Sequence, residues 1–313
     1  LSREFDLVTG GAGFIGSHLA EGLLEKGRRI IVLDNFTSGK KENINGLINR
    51  FKGKIELVEG DIRDHSLCTR LAEKSEVIYH LAAIPSVQYS VDFPIEVNSV
   101  NVEGTLSVFQ AARKGGVKTV VFASSCAVYG DSENLPLSET ELPRPMSPYA
   151  VSKLTDEAYS GVFSEVYGFS STALRFFNVF GPRQDPSSDY AAVIPRFVTR
   201  MLAGKPPIIY GDGEQSRDFI FVKNVVAANM AAAAAAGQGI CVNIGTGKGR
   251  TLNQVVGILN SILNTDIEPE YQEARAGDIR DSVAQVKAAD ELIGFKPAID
   301  FEEGLRQTVE SFR

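Results

Sequence analysis

A glycine-rich turn set directly between a strand and a helix is the feature that most constrains this chain. Phe5-Asp6-Leu7-Val8-Thr9 reads as a buried strand, and Thr9-Gly10-Gly11-Ala12-Gly13-Phe14-Ile15-Gly16 follows without a spacer and opens a helical pattern. The block satisfies G-x-G-x-x-G through Gly11, Gly13 and Gly16, and the longer G-x-x-G-x-x-G spacing through Gly10, Gly13 and Gly16. Glycines so placed let the backbone turn tightly and approach a pyrophosphate, whose charge meets the positive end of the following helix. Alone the motif is weak, because glycine-rich turns are common; its position between strand and helix matters more than its letters.

The rest of the first half repeats the same rhythm. Arg29 to Asp34, Ile55 to Glu59, Val77 to Leu81 and Thr119 to Ala123 read as further buried strands. Between them lie amphipathic stretches such as Ser17 to Lys26 and Val102 to Lys114, closed by Gly27 and by Gly115-Gly116 as helix ends are. This predicts an α/β fold, a Rossmann-like doubly wound parallel sheet. After Thr172 to Arg175 the chain turns to Gly/Pro-punctuated loops such as Gly181-Pro182, Pro206-Pro207 and Gly211-Asp212-Gly213. We therefore expect a dinucleotide-binding domain over 1–177 and a smaller C-terminal substrate-binding domain over 178–313, with interleaved boundaries. The alanine-rich stretch Ala227 to Ala236 predicts a tightly packed helix.

The second strand ends at Asp34, 18 residues after Gly16, where a carboxylate can accept hydrogen bonds from an adenosine ribose and would repel a 2′-phosphate. That favours NAD over NADP, although such an aspartate can also merely cap a turn before Asn35. Asp61-Ile62 after the third strand falls where adenine would lie, and Asp61 can equally be a helix N-cap.

Composition removes other classes. A 313-residue chain with 43% hydrophobic and 23% charged residues can bury a sizeable core. No apolar run reaches the roughly 18 to 20 residues needed to cross a bilayer, and Leu1 to Asp6 carries charges where a signal peptide is apolar, so a cytoplasmic protein with no membrane partner is expected. Cys68, Cys126 and Cys241, and His18, His65 and His80, lack disulfide or zinc spacing, so no metal is expected. A net charge of -7 offers no basic footprint for nucleic acid.

Ser147-Pro148-Tyr149-Ala150-Val151-Ser152-Lys153 carries the chemistry. Serine then proline starts a helix, and Tyr149 and Lys153, four apart, stack on one face. A tyrosine of pKa about 10 serves as a base at pH 7 only if its phenolate is favoured by about 4 kcal/mol. A neighbouring ammonium and a cationic nicotinamide can supply that. Tyr-x-x-x-Lys usually marks surface residues; the upstream glycines reverse that reading. Ala123-Ser124-Ser125 ends a further strand, where open α/β sheets place ligands, so its hydroxyls can reach a substrate oxygen.

Together these blocks resemble the extended short-chain dehydrogenase/reductase family, and specifically its UDP-hexose 4-epimerases, over essentially the whole chain. The resemblance implies Ser125 as catalytic serine, Tyr149 as general base, and Lys153 as the group that lowers its pKa and holds the nicotinamide ribose. It further implies cofactor contacts at Gly10, Gly13, Phe14, Ile15, Gly16, Asp34, Asn35, Asp61, Ile62 and Asn101, with Leu81-Ala82-Ala83 beneath the cofactor. In the second half it implies Asn178 at the diphosphate, Val193 and Tyr210 at the uracil, Arg217 and Arg275 as diphosphate clamps, and Asp278 at the nucleotide ribose. Pro85 departs from the pattern, since many hexose epimerases have a lysine there. The implied reaction removes a hydride from sugar C4 to NAD and returns it to the opposite face of a 4-keto sugar.

Related dehydratases and decarboxylases need an acid two residues before the tyrosine of Val128-Tyr129-Gly130, and dehydratases commonly a second just before it. This chain has Ala127 and Cys126 there. The residue implied to gate the sugar C2 substituent is the small Ser282, and Asn178 to Pro186 resembles the N-acetylhexosamine epimerases. The resulting expectation is UDP-GlcNAc/UDP-GalNAc interconversion, with UDP-Glc/UDP-Gal also accepted. Helices over Val102 to Lys114 and Tyr149 to Tyr167 would pair across a homodimer. A non-catalytic dinucleotide-binding regulator is the alternative outside enzymes.

Overall fold

Short β-branched strands buried on both faces build the centre of the molecule. The computed structural model describes residues 3–187, 192–235, 237–274 and 279–313. Its strands are β1 (Phe5–Thr9), β2 (Arg29–Asp34), β3 (Ile55–Glu59), β4 (Ser75–His80), β5 (Thr119–Ser125), β6 (Ser171–Phe176), β7 (Asn178–Phe180), β8 (Ile208–Tyr210), β9 (Ser216–Phe221), β10 (Gln238–Ile244), β11 (Gly249–Thr251), β12 (Glu270–Gln272) and β13 (Asp281–Ser282). The helices are α1 (Phe14–Glu25), α2 (Glu42–Arg50), α3 (His65–Ala72), α4 (Val87–Asp92), α5 (Pro94–Asn98), α6 (Gly104–Gly115), α7 (Pro148–Tyr167), α8 (Val193–Leu202), α9 (Val222–Ala235), α10 (Leu252–Leu263), α11 (Lys287–Ile293) and α12 (Phe301–Phe312).

Seven strands form one parallel sheet in the order β10-β6-β5-β4-β1-β2-β3. This is the doubly wound α/β arrangement predicted from the sequence. The order reverses between β1 and β4, which opens a crevice at the carboxyl ends of the strands. Val8, Ile30, Val32 and Val121 face a core shared with α1 and α9, while Leu7, Ile31, Ile78 and Phe122 face one shared with α3, α6 and α7. Ala228 and Ala232 are fully buried on α9, and a Cβ added at Gly22 of α1 would stand 2.8 Å from Val226 and Met230. The alanine-rich stretch is thus a helix packed closely against α1.

The last strand of the large sheet, β10, comes from the second half of the chain, so that half is threaded through the first. Four further strands make a smaller sheet in which β9 is flanked by β7, β11 and β13, and β8 pairs with β12 in a separate two-stranded sheet. A phenylalanine-rich core of Phe180, Phe197, Phe219, Phe221 and Phe301 holds α8, α10 and α12 to it. Between the two layers lies a cavity of about 930 Å³.

Candidate active site

The cavity floor is the turn between β1 and α1. Gly10 has φ +66, and a Cβ there would stand 2.6 Å from the Ala82 amide nitrogen. A Cβ at Gly16 would stand 2.1 Å from the Gly10 carbonyl oxygen. The turn therefore closes only with glycine at both places. Gly13 is the N-cap of α1 and supplies no side-chain cap, leaving the helix start to an incoming group. Gly10, Gly13, Phe14, Ile15 and Gly16 all line the cavity.

Asp34, at the end of β2, accepts from Ala12 N on Oδ2 at 2.9 Å and from Phe36 N on Oδ1 at 2.8 Å. Two of about four acceptor positions on a carboxylate are so used, and the residue still lines the cavity. Burial raises its pKa, against the two backbone N–H groups. Asn35 and Ile62 line the same end, but Asp61 does not. Its carboxylate is held by Arg63 at 2.8 and 2.9 Å and by Asn35 Nδ2 at 3.1 Å, and the Arg63 bond keeps its pKa well below the usual range. The side chain reaching the wall from this turn is Arg63, which sequence reasoning missed.

Leu81, Ala82 and Ala83 line the cavity beside Gly10, continued by Ile84, Pro85 and Ser86. Asn101 stands one layer behind. It is fully buried, accepts from Ile84 N at 2.8 Å, and donates to Ile84 O at 3.1 Å and Ser152 Oγ at 3.0 Å. Its amide shapes the wall instead of forming it. The predicted helix over this region begins as a π-turn, Ser99–Glu103, which rotates Asn101 inward.

Ser125 closes β5, which runs two residues beyond its predicted end. Ser147 caps α7 by accepting from Ala150 N at 3.1 Å, with Pro148 in the first turn, as the sequence predicts. Ser125, Tyr149 and Lys153 all line the cavity, with the Ser125 hydroxyl beside the Tyr149 phenol. Burial pushes the Tyr149 phenol up to about 12; Ser125 favours the phenolate, while Cys126 and Asp156 oppose it. Lys153 is 3% exposed, and its Nζ lies 3.5 Å from Asp156 Oδ2. Ser125 favours the phenolate in the cavity as it stands, and Lys153 lines the same wall one helical turn beyond Tyr149.

Behind Ser125 runs a buried polar chain. Arg175 donates to Glu157 at 2.8 and 2.7 Å and to the Tyr129 hydroxyl at 2.9 Å. Ser124 Oγ donates to Glu157, and Tyr129 donates to Asn243 Oδ1 at 2.6 Å. Sequence reasoning passed over Glu157, whose i, i+4 position from Lys153 was the available signal.

The second layer supplies the opposite wall. Asn178, Val193, Tyr210 and Arg217 line the cavity, joined by Arg183, Arg196, Gln215 and Phe219. Asn178 Nδ2 donates to Asp218 O at 3.3 Å, and Arg217 Nη1 donates to Ser216 O at 2.9 Å and Arg280 O at 3.1 Å. Arg275 and Asp278 lie outside the described residues. Ser282 is buried off the cavity wall, its hydroxyl against Cys126.

The family model described as the NAD dependent epimerase/dehydratase family matches residues 7–245. The chain belongs to this family. It is 41% identical over 305 residues to the putative UDP-glucose 4-epimerase of Methanocaldococcus jannaschii, covering 97% of this chain and 96% of that protein. It is similar to the solved UDP-N-acetylglucosamine 4-epimerase of Methanobrevibacter ruminantium M1 in complex with UDP-N-acetylmuramic acid, with 42% identity, TM-score 0.94, and 100% and 99% of the two chains covered. The UDP-glucose 4-epimerase of Thermotoga maritima, solved with UDP-glucose, gives 41% identity, TM-score 0.92 and 98% coverage of each chain. The family's NAD fits what is present here: a glycine turn, an uncapped helix start, and a carboxylate with acceptor positions to spare. As an epimerase/dehydratase family member, the protein is an NAD-dependent enzyme.

Proposed function

We propose that the protein is a UDP-sugar 4-epimerase acting on UDP-GlcNAc and UDP-GalNAc, and also on UDP-Glc and UDP-Gal. The observation that carries this reading is the Ser125–Tyr149 hydroxyl pair at the cavity wall with the buried Lys153 behind it. NAD, when bound, supplies the acceptor and donor of the C4 hydride. Tyr149 takes the proton of the sugar 4-hydroxyl and returns it, and Ser125 holds that oxygen. Lys153 steadies the nicotinamide ribose, while Gly10 to Gly16, Asp34, Asn35, Ile62 and Leu81 to Ala83 seat the rest of the dinucleotide. Arg63 joins this set, and Asp61 and Asn101 serve it from behind. Asn178, Arg217 and Arg275 hold the diphosphate, Asp278 the ribose, and Val193 and Tyr210 the uracil.

Ala127, where relatives that eliminate or decarboxylate carry an acid, leaves no carboxylate for a second chemical step. Burial pushes the neighbouring Cys126 thiol up to about 11, a poor proton donor at pH 7. Ser282 stands behind the sugar end of the wall against Cys126, and its small side chain suits an N-acetyl group at C2. We further propose a cytoplasmic homodimer. Val151, Tyr159, Val162 and Val166 form an exposed apolar stripe along α7, as a helix-pairing face would. Among the described residues no helix is long and apolar enough to cross a membrane.

The test is incubation of the protein with UDP-GlcNAc and, separately, UDP-Glc, with products identified by NMR. UDP-GalNAc and UDP-Gal without net NADH sustain the proposal. A 4-keto-6-deoxy product, or no turnover of either sugar, overturns it.

A further inference from the structure

A buried carboxylate behind Lys153 has no part in the chemistry above. Asp156 lies one turn beyond Lys153 on α7, is 1% exposed, and has Oδ2 3.5 Å from the Lys153 Nζ. Its Oδ1 has no hydrogen-bond partner. Thr105 of α6 stands beside it, yet the Thr105 hydroxyl donates to the Asn101 carbonyl and pairs with His80 Nε2 at 2.9 Å. A hydroxyl has one proton, so Thr105 accepts from His80, which is the Nε2–H tautomer, with Nδ1 accepting from Thr9 Oγ1 at 2.7 Å. No donor remains there for Oδ1. Burial accordingly raises the Asp156 carboxyl to about 7, with Lys153 acting in the opposite sense.

Asp156 and Tyr149 are seven residues apart, two turns along one helix face. We propose that Asp156 is a positioning residue for the Tyr149–Lys153 pair: its carboxylate holds the ammonium in place, and its negative charge restrains formation of the Tyr149 phenolate. This rests on the reading of Tyr149 as the base.

The surrounding groups leave this part to Asp156. On α7 itself, Glu157 is taken up by Arg175 of β6, and Cys241 of β10 faces that pair. His80 of β4 faces Lys153 but is kept neutral by burial. Ser90 of α4 accepts from the Tyr149 backbone N–H at 3.0 Å. At the end of β5, Ser125 favours the phenolate, and the Cys126 thiol that follows stays protonated.

The experiment titrates the phenolate of Tyr149 by ultraviolet absorbance in the NAD-loaded protein between about pH 6 and 12, subtracting the Tyr149→Phe counterpart. In Asp156→Asn the midpoint moves down by about one pH unit. The acidic limb of kcat moves the same way, KM for the UDP-sugar stays within about twofold, and Asp156→Glu restores the original midpoint. Should Asp156→Asn fail to fold, Asp156→Ser is titrated in its place with the same expectation. An unchanged or raised midpoint overturns the proposal. The titration requires no turnover, so inactivity on UDP-sugars overturns the functional reading while leaving that of Asp156 to be decided by the midpoint.

Discussion

The ion pair between Glu157 and Arg175 should show strong coupling between its two halves. Each side chain is 5% exposed, and Arg175 is bound to Glu157 through two nitrogens and to the Tyr129 hydroxyl through a third. Replacing Glu157 by Gln leaves a buried guanidinium without its counter-charge; replacing Arg175 by Met leaves a carboxylate with only Ser124 donating among the bonds described. Breaking one side of a buried pair costs about 3–5 kcal/mol, whereas replacing both with neutral groups of similar size is close to neutral. With a urea m-value of about 3 kcal/mol/M, each single variant should lower the unfolding midpoint by about 1 M or more. The double variant Glu157→Gln/Arg175→Met should recover most of it, giving a coupling energy of about 5 kcal/mol or more. The assay is urea denaturation followed by circular dichroism at one fixed protein concentration. Single losses that simply add in the double variant would refute the argument, since they would mean that each side chain contributes through packing alone.

Tyr149→Phe should lower kcat by at least about 100-fold, and Ser125→Ala by less, with KM for the nucleotide sugar little changed in steady-state assays. Gly16→Ala places a Cβ 2.1 Å from the Gly10 carbonyl and 2.8 Å from the Gly11 Cα, so the turn must open and NAD affinity should fall at least tenfold by calorimetry. His80 is held neutral by burial, its pKa lowered to about 3 from 6.5. Between those values the unfolded chain takes up a proton that the fold refuses, so His80 stabilises fully above pH 6.5 and progressively less as pH falls towards 3. Melting temperature should therefore drop on acidification, and His80→Gln should flatten that slope. The raised Asp156 carboxyl works in reverse, its contribution being lost as pH rises from 3.8 to about 7.

What could be read in the sequence was whatever a fixed spacing dictates. Gly10, Gly13 and Gly16 are legible because their spacing is that of one turn closing on itself, and their neighbours confirm that side chains would not fit at Gly10 and Gly16. Tyr149 and Lys153 are legible as one helix face begun by Ser147. Phase and partner were not. A π-turn shifts Asn101 out of the 3.6-residue register, so its amide grips Ile84 behind the wall. After the third strand, Asp61 and Arg63 pair locally, and it is Ile62 and the arginine that line the cavity. Glu157 and Asp156 look like ordinary solvated charges on a 20-residue helix until tertiary neighbours are known. Arg175 comes from 18 residues further on, Thr105 from 51 residues before Asp156. Only the sheet order brings those distant groups to one helix face, which is why the spacing that found the base could not also find the charges that govern it.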